Sequence, residues 1–147
     1  MRSPFPNHTS LCEPRQPIIV SRENGCEHRA YNKGRSRVLH YRIDGDVIHR
    51  NQTGINKCDY LVLNVDKKIA YFIETKRPGC NLMEAADQID GAIKELRHRL
   101  TDYQQPFCVR IVYKHGATHA LRRSEFIKWQ AKYPNQIVRS TPLEEII

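Results

Sequence analysis

Residues 58–76, CDYLVLNVDKKIAYFIETK, limit what this chain can fold into more than any other stretch. Two runs rich in β-branched and aromatic residues, CDYLVLNV (58–65) and KIAYFIETK (68–76), are separated only by Asp66 and Lys67. That pattern predicts a tight antiparallel hairpin. If Val65 faces Lys68, Asp59 falls directly opposite Glu74, with Cβ atoms roughly 4.5–5.5 Å apart. A register slip of two residues keeps Asp59 on that face, whereas a slip of one sends it to the other. Strand side chains alternate, so Glu74 and Lys76 also share a face. That face runs Ala70, Phe72, Glu74, Lys76, from apolar core to charged rim.

Two converging carboxylates repel each other unless a cation joins them or one keeps a proton. An oxygen-only set suits a hard ion such as Mg²⁺, with Mn²⁺ as its substitute. Mg²⁺ commonly takes one or two carboxylates, several waters and substrate phosphate. Lys76 beside them is placed to steady charge building on a phosphate or to help deprotonate an attacking water. The residues therefore point to phosphodiester hydrolysis carried by Asp59, Glu74 and Lys76. The competing reading is a solvated strand face on which Asp59 pairs with Lys76, and Glu-x-Lys alone is a common tripeptide. Apolar Ala70 and Phe72 on the same face weigh against it. Asp66-Lys67-Lys68 sits in the turn, and Asp44 and Asp46 read as hairpin residues. His115 and His119 are four apart, but the Gly between them and the preceding strand speak against a helical metal pair.

The flanking sequence supplies the rest of an α/β fold. Asn81 with Glu84 three residues on forms a capping box that opens a helix. Leu82, Ala86, Ile89, Ile93, Leu96 and Leu100 make one apolar stripe along it. PFCVRIVYK (106–114) predicts a further strand, so strand, helix and strand suggest a crossover between parallel neighbours. Upstream, PIIV (17–20) is too short to classify. CEHRAYN and RVLHYRI, with Asp44-Gly45 before DVIH, predict an antiparallel ribbon over 26–50, and RNQTGINK (50–57) predicts a loop. Downstream, a short helix is expected over 124–133. TPLEEII predicts a C-terminal helix with Thr141 as cap and Pro142 at its first position. The expected class is a mixed β-sheet with flanking helices, in one domain over 1–147.

Composition narrows the partners. The net charge is +8, with pI ≈ 9.4, which favours a polyanion such as nucleic acid. No run reaches bilayer-spanning length, so no membrane partner is expected. The Pro-rich segment 1–17 lacks the order of a signal peptide; it is expected to be poorly structured or wrapping, on a cytoplasmic protein. The five cysteines (Cys12, Cys26, Cys58, Cys80, Cys108) form no C-x-x-C pair and read as buried free thiols.

CDYLVLNVDKKIAYFIETK with its capped helix resembles the core motif of the PD-(D/E)XK nuclease superfamily, over roughly residues 58–114. The resemblance implies a restriction-endonuclease-like core of hairpin, helix crossover and strand. It implies Asp59 and Glu74 as metal ligands, joined by the Thr75 backbone carbonyl, with Lys76 as the catalytic lysine. Gln88 on the following helix matches an accessory Gln of some branches, without the Tyr that accompanies it there. Cys58 stands where many members have Pro. No helix is evident before residue 58, and Glu27, or Glu23, is the nearest candidate for the acidic residue such a helix often carries. The expected activity is a Mg²⁺-dependent DNA endonuclease, with RNA as the lesser alternative substrate. Cutting both strands favours a homodimer. The other expectation is a catalytically inactive module of this fold that binds nucleic acid or a protein partner.

Overall fold

The computed structural model describes residues 3–48, 56–79, 81–115 and 118–147, with the backbone alone at 118 and 119. Most of the loop expected over 50–57, the end of DVIH, Cys80 and the His119 side chain lie outside the described residues. Five strands form a mixed central sheet: β3 (Val38–Arg42), β4 (Tyr60–Asn64), β5 (Ile69–Thr75), β6 (Cys108–Tyr113) and β7 (Gln136–Ser140), in that order. The first three are antiparallel, and β6 and β7 continue parallel to β5. On one face lie α1 (Leu82–Leu96), the short α2 (Thr118–Leu121) and α3 (Ser124–Ala131). On the other lies a three-stranded sheet of β1 (Ile18–Glu23), β2 (Cys26–Tyr31) and β8 (Leu143–Ile146), ordered β1-β2-β8.

This layering explains the uninterrupted apolar runs in the sequence. Leu61, Leu63, Ala70 and Phe72 point to the helices, while Tyr60, Val62, Tyr71 and Ile73 point to the smaller sheet. Both faces of β4 and β5 are covered, so neither strand needs a polar side. The hairpin adopts the expected register, with Tyr60 facing Ile73 and Asn64 facing Ile69. Its ladder stops one pair early: residues 65–68 turn, with Lys68 at φ 58°. In α1 the expected cap forms, Asn81 Oδ1 accepting the Glu84 N–H at 2.9 Å. Leu82, Ala86, Ile89 and Leu96 are buried, widened into a broader face by Ala85 and Ala92.

Two expectations are corrected. TPLEEII is a strand, not a helix: β8 runs parallel to β2, with Leu143 beside His28. Leu143 and Ile147 are buried and Glu145 turns inward, whereas Ile146 is 61% exposed, a period of two. A buried sheet position outweighs the local capping signal. The ribbon over 26–50 is also absent. β2 and β3 sit in different sheets, and the chain between them is closed by Asn32, whose side chain bonds Gln16 C=O, Ser36 C=O and the Ser36 N–H. Asp44-Gly45 does turn the chain, but the Ile48 N–H returns to Ile43 C=O without a second strand. Of the two expectations for the Pro-rich segment, poorly structured or wrapping, its described residues 3–17 fit the second: they carry no helix or strand, yet they are anchored. Phe5 is 1% exposed in the helix-side core, and residues 10–14 run along β3, with Leu11 N–H on His40 C=O and Val38 N–H on Pro14 C=O. It covers an edge that would otherwise present unpaired backbone.

Candidate active site

Asp59 stands one residue before β4, and Glu74 lies near the end of β5. One further ladder step sets them opposite each other, and the Asp59 N–H donates to Glu74 Oε1 at 3.1 Å. The Asp59 carboxylate turns to Thr75: Oδ2 accepts the Thr75 N–H at 2.9 Å and also the Thr75 hydroxyl. Strand alternation makes that amide available. The Lys76 N–H bonds Val112 C=O on β6 at 2.8 Å, so the Thr75 N–H and C=O face the β4 side. The sequence-predicted carboxylates and the Thr75 backbone therefore lie together.

The electrostatics follow from burial. Glu74 is 7% exposed, and its carboxyl is pushed up to about 10 by desolvation, by the charge of Asp59 and by a hydrogen bond to Asp59. Asp59 is also raised by burial, against the lowering effect of the two Thr75 bonds. The Cys58 thiol, fully buried beside them, is held well above its ordinary range and reads as inert core.

Asp59 and Glu74 open on a recess of ≈ 100 Å³ lined also by Asp44, Lys57, Arg77 and Gln88. A smaller hollow adjoins it, lined by Glu74, Lys76, Arg77, Glu84 and Gln88. Lys76 is thus beside Glu74, and among the described residues it makes no ion pair with Asp59. Larger hollows of ≈ 260 and ≈ 370 Å³ lie elsewhere, and neither holds two carboxylates. Gln88 does reach the recess, but its Oε1 accepts the Lys57 N–H at 2.6 Å. Helix α1 presses on this segment so closely that a Cβ at Gly91 would come within 2.5 Å of Asn56.

Glu27 is not part of the site. It pairs with Arg22 and Arg29 at 2.6 Å each on the smaller sheet, and its N–H bonds Thr141 Oγ1. Glu23 is nearer: it pairs with Arg42 at 3.0 Å, and its charge is one of the causes that raise Asp59. Among the described residues, no group of three or more His, Cys, Asp or Glu is placed to hold a metal ion. The candidate ligand set is two carboxyls and a backbone carbonyl.

Sequence reasoning missed Asn24, Lys57 and Arg77. Asn24 carried a readable signal, since Asn-Gly between two β-rich runs marks a type I′ hairpin. Here Asn24 and Gly25 have φ 54° and 73° and join β1 to β2. Nothing in the spacing marks Lys57 or Arg77, which the chain's path alone brings to the recess. No protein-family model, curated protein or solved structure matches this chain.

Proposed function

We propose that this protein is a metal-dependent nuclease that hydrolyses phosphodiester bonds, an endonuclease acting on DNA with a restriction-endonuclease-like core. One observation carries the reading: a buried carboxyl, Glu74, and a half-buried one, Asp59, from adjoining antiparallel segments meet at a recess that also collects Lys57, Arg77 and Gln88, with Lys76 alongside. The order β3, β4, β5, α1, β6 and the net charge of +8 agree with it.

The residues fit a hard divalent cation. Adjoining carboxyls raised together need either a proton or a cation between them, and the donors are all oxygen. Asp59, Glu74 and the Thr75 carbonyl would hold Mg²⁺, or Mn²⁺ in its place. When bound, such an ion supplies Lewis-acid polarisation of the phosphate and activation of water. Lys76 and Arg77 supply positive charge at the mouth, against the extra negative charge of the phosphoryl transition state.

With Mg²⁺ present, the protein is expected to nick supercoiled plasmid. Asp59→Ala, Glu74→Ala and Lys76→Ala are each expected to lower the rate about 100-fold or more. Three variants that cut as well as the parent would refute the assignment. Single-stranded and duplex RNA under the same salt decide the polymer, and gel filtration decides whether the active species is a homodimer. A second reading rests on the net charge of +8 alone. It is a non-catalytic module of this fold that binds nucleic acid or a protein partner, marked by salt-sensitive DNA binding without cleavage.

A further inference from the structure

The tip of the β1–β2 hairpin brings the smaller sheet to the candidate site. Asn24 Nδ2 donates to Thr75 Oγ1 at 3.1 Å, and the same hydroxyl donates to Asp59 Oδ2. A hydroxyl has one proton to give, and Thr75 gives it to Asp59 while a lone pair accepts from Asn24. Thr75 has no exposed surface, and its side chain lies on the smaller-sheet side of β5, with Tyr71 and Ile73. Nothing about sheet packing requires a hydroxyl there, because valine has the same shape. The Asn24 position is equally particular. Its backbone is left-handed at φ 54°, which Asn tolerates, and the type I′ turn aims its amide across the gap between sheets.

We propose that Asn24 and the Thr75 hydroxyl are positioning residues, a hydrogen-bond relay from the second sheet that fixes the orientation of Asp59. The relay and the Thr75 N–H both bind Oδ2, which leaves Oδ1 as the oxygen offered to a cation. Glu74 is treated alike, with Oε1 held by the Asp59 N–H. Each carboxylate is thus oriented through one oxygen, while the two carboxyls also hydrogen-bond to each other across the place a cation would take. Outer partners of this kind set ligand orientation and tune affinity, and hydrogen-bond chains strengthen one another. The inference rests on reading Asp59 as a cation ligand.

The test uses Mn²⁺ alone as probe, with binding to the purified protein followed by the loss of its free-ion paramagnetic resonance signal. Thr75→Val keeps the shape and removes the hydroxyl, and is expected to weaken binding about tenfold. Thr75→Ser restores the donor and is expected to bind as the parent does. Asn24→Gly keeps the left-handed turn and removes the amide, and is expected to show a smaller loss in the same direction. Melting temperatures are taken for each variant. Should Thr75→Val fold poorly, Asn24→Gly against the parent decides the matter, since it leaves the core intact. If Thr75→Val and Asn24→Gly bind as the parent does while Asp59→Ala binds poorly, the relay is refuted and the nuclease reading stands. If the parent binds no better than Asp59→Ala, both fail.

Discussion

His40 shows how one side chain's surroundings set the acid limit of the molecule. It is 4% exposed on β3, with Nε2 at 2.9 Å from Ser21 Oγ, and burial, helped by the charge of His28, holds its imidazole down to about 4. An unfolded chain protonates histidine near its ordinary pKa of about 6.5. Between those two values the unfolded state binds more protons, so stability is full above about 6.5 and falls as pH drops towards 4. The loss is on the order of 3 kcal/mol once pH passes below both values. Urea midpoints measured across that window should fall for the parent and much less for His40→Gln; equal slopes would exclude His40 as the cause. The same scale separates what could be read at the site from what could not. Asp59, Glu74 and Lys76 were legible because a hairpin period and a register fix which face each occupies. Asn24 is marked locally as a turn residue, but its reach to Thr75, like the gathering of Lys57 and Arg77 at the recess, depends on tertiary path.

Between elements, the decisive interaction joins β8 to the rest. Glu145 receives Arg110 through two bonds, Nε to Oε2 at 2.6 Å and Nη2 to Oε1 at 2.8 Å, and His28 Nε2 at 2.7 Å. Burial opposes the charge, but the bonds from His28 and Arg110 prevail and hold the Glu145 carboxyl at about 2. Removing one partner strands a buried charge, so Arg110→Ala is expected to cost about 3–5 kcal/mol. Arg110→Met with Glu145→Leu should recover most of that loss. Denaturant midpoints test it, and additive losses in the double variant would count against the pairing. This network also explains why TPLEEII misleads: a Thr-Pro-x-Glu start matches a helix opening, while the partners that make Glu145 a strand residue lie far off in sequence. The hairpin of β4 and β5 and helix α1 were legible for the opposite reason, since their pairings and caps are local. β2 and β3 look like a ribbon because each alternates, but alternation says nothing about which sheet a strand joins.

For the whole molecule, the N-terminal segment acts as a structural part. Phe5 is packed against Tyr41, ring centroids 5.2 Å apart, inside the helix-side core. Phe5→Ala is expected to destabilise by about 3–5 kcal/mol, read from the urea midpoint, and no change would mean the segment is dispensable. The two apolar layers divide the labour: the helix side holds most of the large buried residues, and the smaller sheet seals the opposite face.

β2 lies between two strands of very different origin. One is β1, its neighbour through the Asn24-Gly25 turn, and the other is β8, with His28 and Glu145 meeting across 117 positions. Closing so long a loop is entropically slow and comes after local pairings. The local β4–β5 hairpin can therefore set Asp59 opposite Glu74 early, while the seating of the smaller sheet is completed only when β8 docks on β2. On the proposed reading of Asp59 as a cation ligand, refolding followed with Mn²⁺ as probe should show its capture maturing later than the bulk of secondary structure.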